Sequence, residues 1–376
     1  MSSLIGYLKN LPGYHTKRKL FVFESDDWGS IRMPSNNVIL EMLNRGIDLS
    51  KGVAGRYNVY DSLATYIDLS KLFEVLTSVR DSNNNHCVVT AMSVVANPDF
   101  DLIAQNDFRQ YFYEPFKLTL QKYPGCEKSF ELWKEGISLG IFIPEFHGRE
   151  HLNFLRWMEA LRNGDHYAHL AFKYNFWGYP RQPDSYQPNR SLQAAFDIDQ
   201  PSDIDIMNEV ISDGLNLFRE LFGYSASCFT PPNGPLNRIN EKKASEEGIK
   251  AIQTARMFYK EPIGNEKTRM TMRYLGKRND FGQIYLIRNC FFEPCGNKRT
   301  DVISKCLDEV EQAFKCNKPA ILSSHRVNYI GALKPENRDN GLILLKELLE
   351  SLVKLYPDIE FISSTQLTDL ILRNEL

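Results

Sequence analysis

Along this chain, short apolar runs rich in β-formers alternate with stretches in which apolar residues recur at helical spacing. The first run, Leu20 to Phe23, ends abruptly in Glu24-Ser25-Asp26-Asp27 and a Trp28-Gly29 turn. Comparable runs follow at 87–95, 140–143, 227–230, 249–253, 284–292, 320–323 and 359–362. Between them the spacing predicts helices over 34–49, with Ser35 as cap, and over 68–79, 130–139, 152–161, 204–222, 301–315 and 340–355. Strands alternating with helices in this way predict a parallel α/β architecture, either closed as a barrel or open and doubly wound. Two stretches fit neither period: the polar, aromatic segment 101–123, and 172–200, where Pro180, Pro183 and Pro188 mark an inserted loop.

Composition narrows the classes of function. The 376 residues are 43% hydrophobic and 24% charged, which supplies ample core for one large domain or two ordinary ones. A net charge of −2 gives no electrostatic reason to expect nucleic acid or an anionic membrane surface as partner. No run approaches a membrane span, and Gly6, Lys9 and Pro12 interrupt the N-terminal stretch where a signal peptide needs an apolar core, so a cytoplasmic protein is expected. The seven cysteines form no C-x-x-C pair and read as reduced, mostly buried thiols. Aromatics, at 12%, suit stacking on sugar rings as well as core packing.

In parallel α/β folds the reactive groups gather at the C-terminal ends of strands. Reading polar residues off those ends gives Asp26 and Asp27, then His147 and His151, then Pro231-Pro232-Asn233-Gly234, then His325. Taken alone, Asp26-Asp27 is most simply a solvated loop edge, His325 a hydrogen-bonded structural histidine, and the Pro-Pro segment an ordinary turn. His166 and His169 follow no apolar strand and read as surface or loop histidines. His147 and His151 stand at i and i+4; if the chain enters a helix there, they share a face about 5–6 Å apart at Cβ, suited to one metal. Two imidazoles and a carboxylate leave coordination positions open for water and substrate, and a cation would offset the like charges of the acid pair. Arg288 and Glu293, near the end of the 284–292 run, are candidate pocket-wall residues.

Asp26-Asp27 after an apolar strand, His147-x-x-x-His151, the Pro-Pro-x-Gly turn at 231–234 and Ile321-Leu322-Ser323-Ser324-His325 occur in the order used by NodB-like polysaccharide deacetylases, and the chain resembles that carbohydrate esterase family over residues 18–370. The resemblance implies a single deacetylase-like domain over 1–376, a distorted (β/α)7 barrel with insertions at about 45–65, 100–130 and 160–200. It implies Asp27, His147 and His151 as ligands of a divalent metal, zinc first and cobalt, nickel or iron as alternatives. Asp26 would be general base and His325 general acid in removing an N-acetyl group from an amino sugar in a polysaccharide or its precursor. Trp28, Pro232, Asn233 and Arg288 would face the carbohydrate. Where the family has an Arg before Pro-Pro to orient the base, this chain has Thr230; Arg149, Arg288 and Arg326 are the candidates to replace it in space. Two alternatives stand beside this reading: a catalytically degenerate glycan-binding barrel, and an inverted-motif zinc protease using His147, Glu150 and His151.

Overall fold

Nine strands make the main sheet: β1 (Lys19–Trp28), β2 (Val89–Ser93), β3 (Phe142–Phe146), β4 (Cys228–Phe229), β5 (Ala251–Gln253), β6 (Ile284–Leu286), β7 (Cys290–Phe291), β8 (Ala320–His325) and β9 (Ile359–Ile362). They are seen in a computed structural model that describes residues 2–52, 55–180, 182–234, 236–260, 269–296 and 299–373. The strand order is β6-β5-β4-β3-β2-β1-β8-β7, and every pairing in it is parallel. The two ends of that order, β6 and β7, are successive pieces of the 284–292 run that the sequence predicts as one strand. Its first half pairs with β5 and its second half with β8, so the sheet curls until it closes on itself. Seven strand positions result, with β9 beside the first half of β1 (Lys19↔Ile359) and β2 beside the second (Phe23↔Val89). This is the distorted (β/α)7 barrel expected from the sequence, and its irregularities lie at β1 and at the seam.

The helices form because their apolar residues fall on one face and their ends are capped. In α1 (Asn36–Asn44) the Ser35 side chain accepts from the Val38 N–H, and α2 (Tyr66–Thr77) opens with a capping box between Thr65 and Asp68. Leu69, Leu72 and Leu76 of α2, and Leu345, Leu348 and Leu349 of α3 (Pro335–Leu355), pack with the outward residues Phe21, Phe23, Val89, Phe142 and Leu322 of the strands. The helix expected from 340 starts at Pro335, where proline's fixed φ suits a first turn. His166 and His169 sit on a short helix (His166–Lys173), where His169 Nε2 meets the Leu161 carbonyl. Among the described residues, the loop read at 172–200 has neither helix nor strand beyond Lys173, yet it buries Phe176, Trp177, Tyr179 and Phe196. No helix of the described residues is long and apolar enough to cross a membrane.

Inside, the barrel is layered. Leu20, Val22, Cys228, Ala251, Ile284, Leu286, Ile321 and Ile362 fill its lower lumen, closed by Leu367 and Ile371 of α4 (Ser364–Arg373). Above them lies a buried polar layer. Glu24 accepts from Ser364 Oγ at 2.7 Å, and Glu145 accepts from the backbone N–H groups of Ser227 and Cys228 at 2.8 Å each and from the Thr365 hydroxyl. Buried carboxylates persist only when their oxygens are satisfied, and this layer satisfies them. The strand ends above it carry the candidate chemistry.

Candidate active site

Strand alternation would send Asp26 and Asp27 to opposite faces of β1. The pairing of β1 with β2 shifts register between Ser25 and Trp28, and Asp27 adopts φ 73°. A bulge re-aims a side chain in this way, and a non-glycine residue held in the left-handed region costs about 1–3 kcal/mol. Both carboxylates therefore reach the upper mouth of the barrel, but they meet different neighbours.

Asp27 faces two imidazoles. Its Oδ1 lies 3.5 Å from His147 Nε2 and 3.2 Å from His151 Nε2, with all three side chains buried. The helix considered for 147–151 is absent; the segment is a loop turning at Gly148 (φ 109°), and the two rings sit 5.1 Å apart. His147 Nδ1 contacts the Thr230 carbonyl at 2.6 Å, an acceptor that requires the proton on Nδ1. Its Nε2 faces Asp27, buried and without a hydrogen-bond partner. Burial outweighs Asp27 and lowers the His151 pKa to about 4, so that ring is neutral at physiological pH. Burial alone would raise the Asp27 pKa, but His151, His147 and Arg32 hold it well below the usual carboxylate range. One carboxylate oxygen and two imidazole nitrogens, with ligand atoms all within 4.8 Å of one another, make a donor set that fits one divalent cation.

Asp26 faces an arginine. Arg288 Nη1 and Nη2 donate to Asp26 Oδ2 and Oδ1 at 2.6 Å each, while its Nε donates to Glu24 at 2.6 Å. Of the three arginines considered in place of the one missing at Thr230, Arg288 alone contacts Asp26. Arg149 is bound to Glu150 and Asp213, and Arg326 to Asp61 and the Ser30 carbonyl. Burial would raise the Asp26 pKa; the Arg288 charge and hydrogen bonds reverse that and lower it.

His325 is the register partner of Asp26 across β1 and β8, with Nε2 at 3.9 Å from Asp26 Oδ2. Its Nδ1 donates to Glu293 at 2.5 Å, and Glu293 is itself held by Arg56 at 3.0 Å and Asn328 at 2.8 Å. Burial would lower the His325 pKa, but Glu293, Asp27 and Asp26 together push it up to about 9, so the ring is an imidazolium at neutral pH.

Other expected site residues take different places. Trp28 is 1% exposed, donates its indole N–H to Ser25 Oγ and packs on Trp133 and Phe142, so its ring belongs to the core and cannot stack on a sugar. Pro232 is buried, whereas Pro231 and the exposed Asn233 line a cavity of about 1650 Å³ together with Asp26, Thr230, Arg288 and Ser323. Arg288 stands on that cavity's wall as expected, with its guanidinium engaged by carboxylates. Glu150 gives its carboxylate to Arg149 and Tyr111, in a loop rather than a helix, which removes the basis of the zinc-protease reading.

Sequence reading missed Arg32. It is buried beside the metal-type cluster, 3.9 Å from Asp27 Oδ2 and 3.8 Å from Asp61, with its guanidinium carbon over the rings of Tyr57 (5.4 Å) and Trp177 (5.1 Å). Trp177 in turn stacks on His151 at 6.1 Å, and Tyr57 meets His325 edge-on at 5.4 Å. Only a buried arginine in an apolar loop, Ser30-Ile31-Arg32-Met33, hinted at it.

No protein-family model matches this chain, and no curated protein matches it. Solved structures do. A probable polysaccharide deacetylase from Pseudomonas aeruginosa PAO1 is 14% identical, with 99% of this chain and 98% of that chain covered and a TM-score of 0.47. The PuuE allantoinase is 12% identical over 97% and 95% of the two chains, with a TM-score of 0.47. A carbohydrate esterase family 4 pseudoenzyme from Bacillus anthracis is 10% identical over 94% and 67%, with a TM-score of 0.36. Polysaccharide deacetylases are thus among the structures this chain is similar to, and the chemistry has to be argued from the site.

Proposed function

We propose that this protein is a metal-dependent hydrolase that removes an N-acetyl group from an amino sugar of a polysaccharide or its precursor. The observation that carries the reading is the division of labour between two adjacent carboxylates: Asp27 closes a metal-type triad while Asp26 is clamped by Arg288 opposite a charged histidine. Asp27, His147 and His151 would hold the metal, zinc first among divalent ions, and that ion would supply Lewis acidity toward water and the amide carbonyl.

The remaining steps belong to protein groups. Asp26, ionised and oriented by Arg288, accepts a proton from water as its oxygen bonds to the acetamide carbon. The C–N bond then breaks, and His325, holding its proton through Glu293, gives that proton from Nε2 to the departing amine. Acetate and a free amino sugar result. A sugar amine leaves poorly without a proton, so a base on β1 and an acid on β8 form a complementary pair.

Replacing Asp26 with Asn should lower acetate release from N-acetylglucosamine oligomers by about 10²–10⁴-fold while zinc stoichiometry stays at the wild-type value. Undiminished turnover in that variant would remove Asp26 as the base. The alternative of a degenerate glycan-binding barrel was raised by the missing arginine; the contact of Arg288 with Asp26 supports the enzymatic reading beside it.

A further inference from the structure

The cavity beside Asp26 is larger than one amino sugar requires. Its volume of about 1650 Å³ exceeds the roughly 300–1,000 Å³ of ordinary small-molecule pockets. Thr230 follows β4 and Gln253 ends β5, and the pairing Phe229↔Ile252 makes them register neighbours. Both are buried, at 6% and 8% exposure, and Thr230 Oγ1 and Gln253 Oε1 have no hydrogen-bond partner. Their hydroxyl and amide groups can turn toward a bound molecule, whose hydroxyls would supply the partners that these oxygens lack.

Arg256 comes three residues after Gln253 on the same wall. It is half-buried, and among the described residues it has no ion pair and no side-chain hydrogen bond. Burial opposes its charge and lowers its pKa, with no carboxylate to restore it. The other cations lining the cavity are accounted for. Arg273 pairs with Glu241 at 2.7 Å, and Arg288 is held by Asp26 and Glu24. Lys318 gives its ammonium to the carbonyls of Pro12, Gly13 and Tyr14. Lys9 and Lys305 share the lining with Asp308, Glu309 and Glu311, and both act electrostatically on the Glu309 carboxyl. The positive charge in want of an anion is therefore at Arg256, and a guanidinium is the side chain best shaped to fork onto phosphate or carboxylate oxygens.

We propose that the cavity continues from the reacting centre into an anion-binding subsite at Arg256, with Thr230 and Gln253 between them engaging sugar hydroxyls. On the deacetylase reading, from which this inference starts, the substrate is then an N-acetylated amino sugar that carries a phosphate or a carboxylate outside the reacting acetamide.

The test compares three probes on the zinc-loaded protein at low salt by titration calorimetry, with acetate release followed in parallel. The probes are N-acetylglucosamine, N-acetylglucosamine 1-phosphate, and a disaccharide of glucuronic acid and N-acetylglucosamine. At least one anionic probe should bind tenfold or more tightly than the neutral sugar, and which of the two gains more tells phosphate from carboxylate. Arg256→Gln should bring that ratio near one, and Arg256→Lys should keep part of it. A ratio near one in the wild type, a ratio that survives Arg256→Gln, or no binding of any probe would overturn the subsite. Acetate released from all three probes at equal affinity would overturn it while leaving deacetylation standing. An anionic preference abolished by Arg256→Gln without any acetate release would support the subsite and sink the deacetylase reading.

Discussion

Arg288 donates to Asp26 with two nitrogens and to Glu24 with the third, so a single guanidinium balances two buried carboxylates. Taking it away strands both. Arg288→Met should destabilise the fold by about 3–5 kcal/mol, the usual cost of breaking a buried pair from one side, measured by urea denaturation. Hydrolysis should fall further than stability accounts for, because Asp26 would lose both its orientation and its lowered pKa. The pH dependence rests on the same neighbourhood. With Asp26 lowered and His325 raised to about 9, turnover should hold a plateau through neutral pH and fall as His325 deprotonates on the alkaline side. Glu293→Gln removes the leading cause of the raised value, so the alkaline limb should move to lower pH in a pH–rate profile. For stability the sign is the same: a histidine whose folded pKa is raised above its unfolded value of about 6.5 contributes fully below that value. The contribution is lost as pH rises through about 9.

At the scale of elements, the loop 147–151 and the bulge of β1 are what bring Asp27, His147 and His151 together. Gly148 has φ 109°, and a Cβ there would meet the Glu150 carbonyl at 3.2 Å and the Phe196 ring at 3.3 Å. Gly148→Ala should therefore weaken zinc binding by an order of magnitude or more, measured by competition with a chromophoric chelator, since His147 and His151 pivot on that residue. Most elements were legible from period and caps: Ser35 marks a helix start, and the apolar runs became strands, while the helix read over 68–79 begins at Tyr66 behind a Thr65 cap that the pattern did not single out. The 147–151 segment was less so, because i, i+4 spacing suits a helix until Gly148 turns the chain away and Thr230 takes His147 Nδ1. Likewise 284–292 reads as one strand because it is one continuous run; pattern alone does not say that its halves serve different neighbours. The acids and histidines of the site were visible at strand ends. The partners Arg288, Glu293 and Arg32 were not assignable, because their contacts span 262, 32 and 5 residues and depend on closure and looping.

For the whole molecule, stability and chemistry occupy different layers of one lumen. Leu367 of α4 is fully buried among Leu20, Val22 and Ile362 at the lower end, far in the layering from Asp27. Leu367→Ala should cost about 2–5 kcal/mol by opening a cavity, read from thermal or urea unfolding, while zinc affinity changes little in the molecules that remain folded. Above that plug, Glu24 connects the closing helix, through Ser364, to Arg288 and thence to Asp26. The last helix of the chain thus underpins a residue near its beginning.

The seam at 284–291 carries one more consequence. Because Arg288 lies where the run leaves one neighbour for the other, it reaches β1 past the intervening strand β8. A place beside Asp26 can thus be filled from a distant stretch of chain, while the position before Pro231 holds a threonine. What such a centre requires is a guanidinium at that place in space, whichever stretch of chain delivers it.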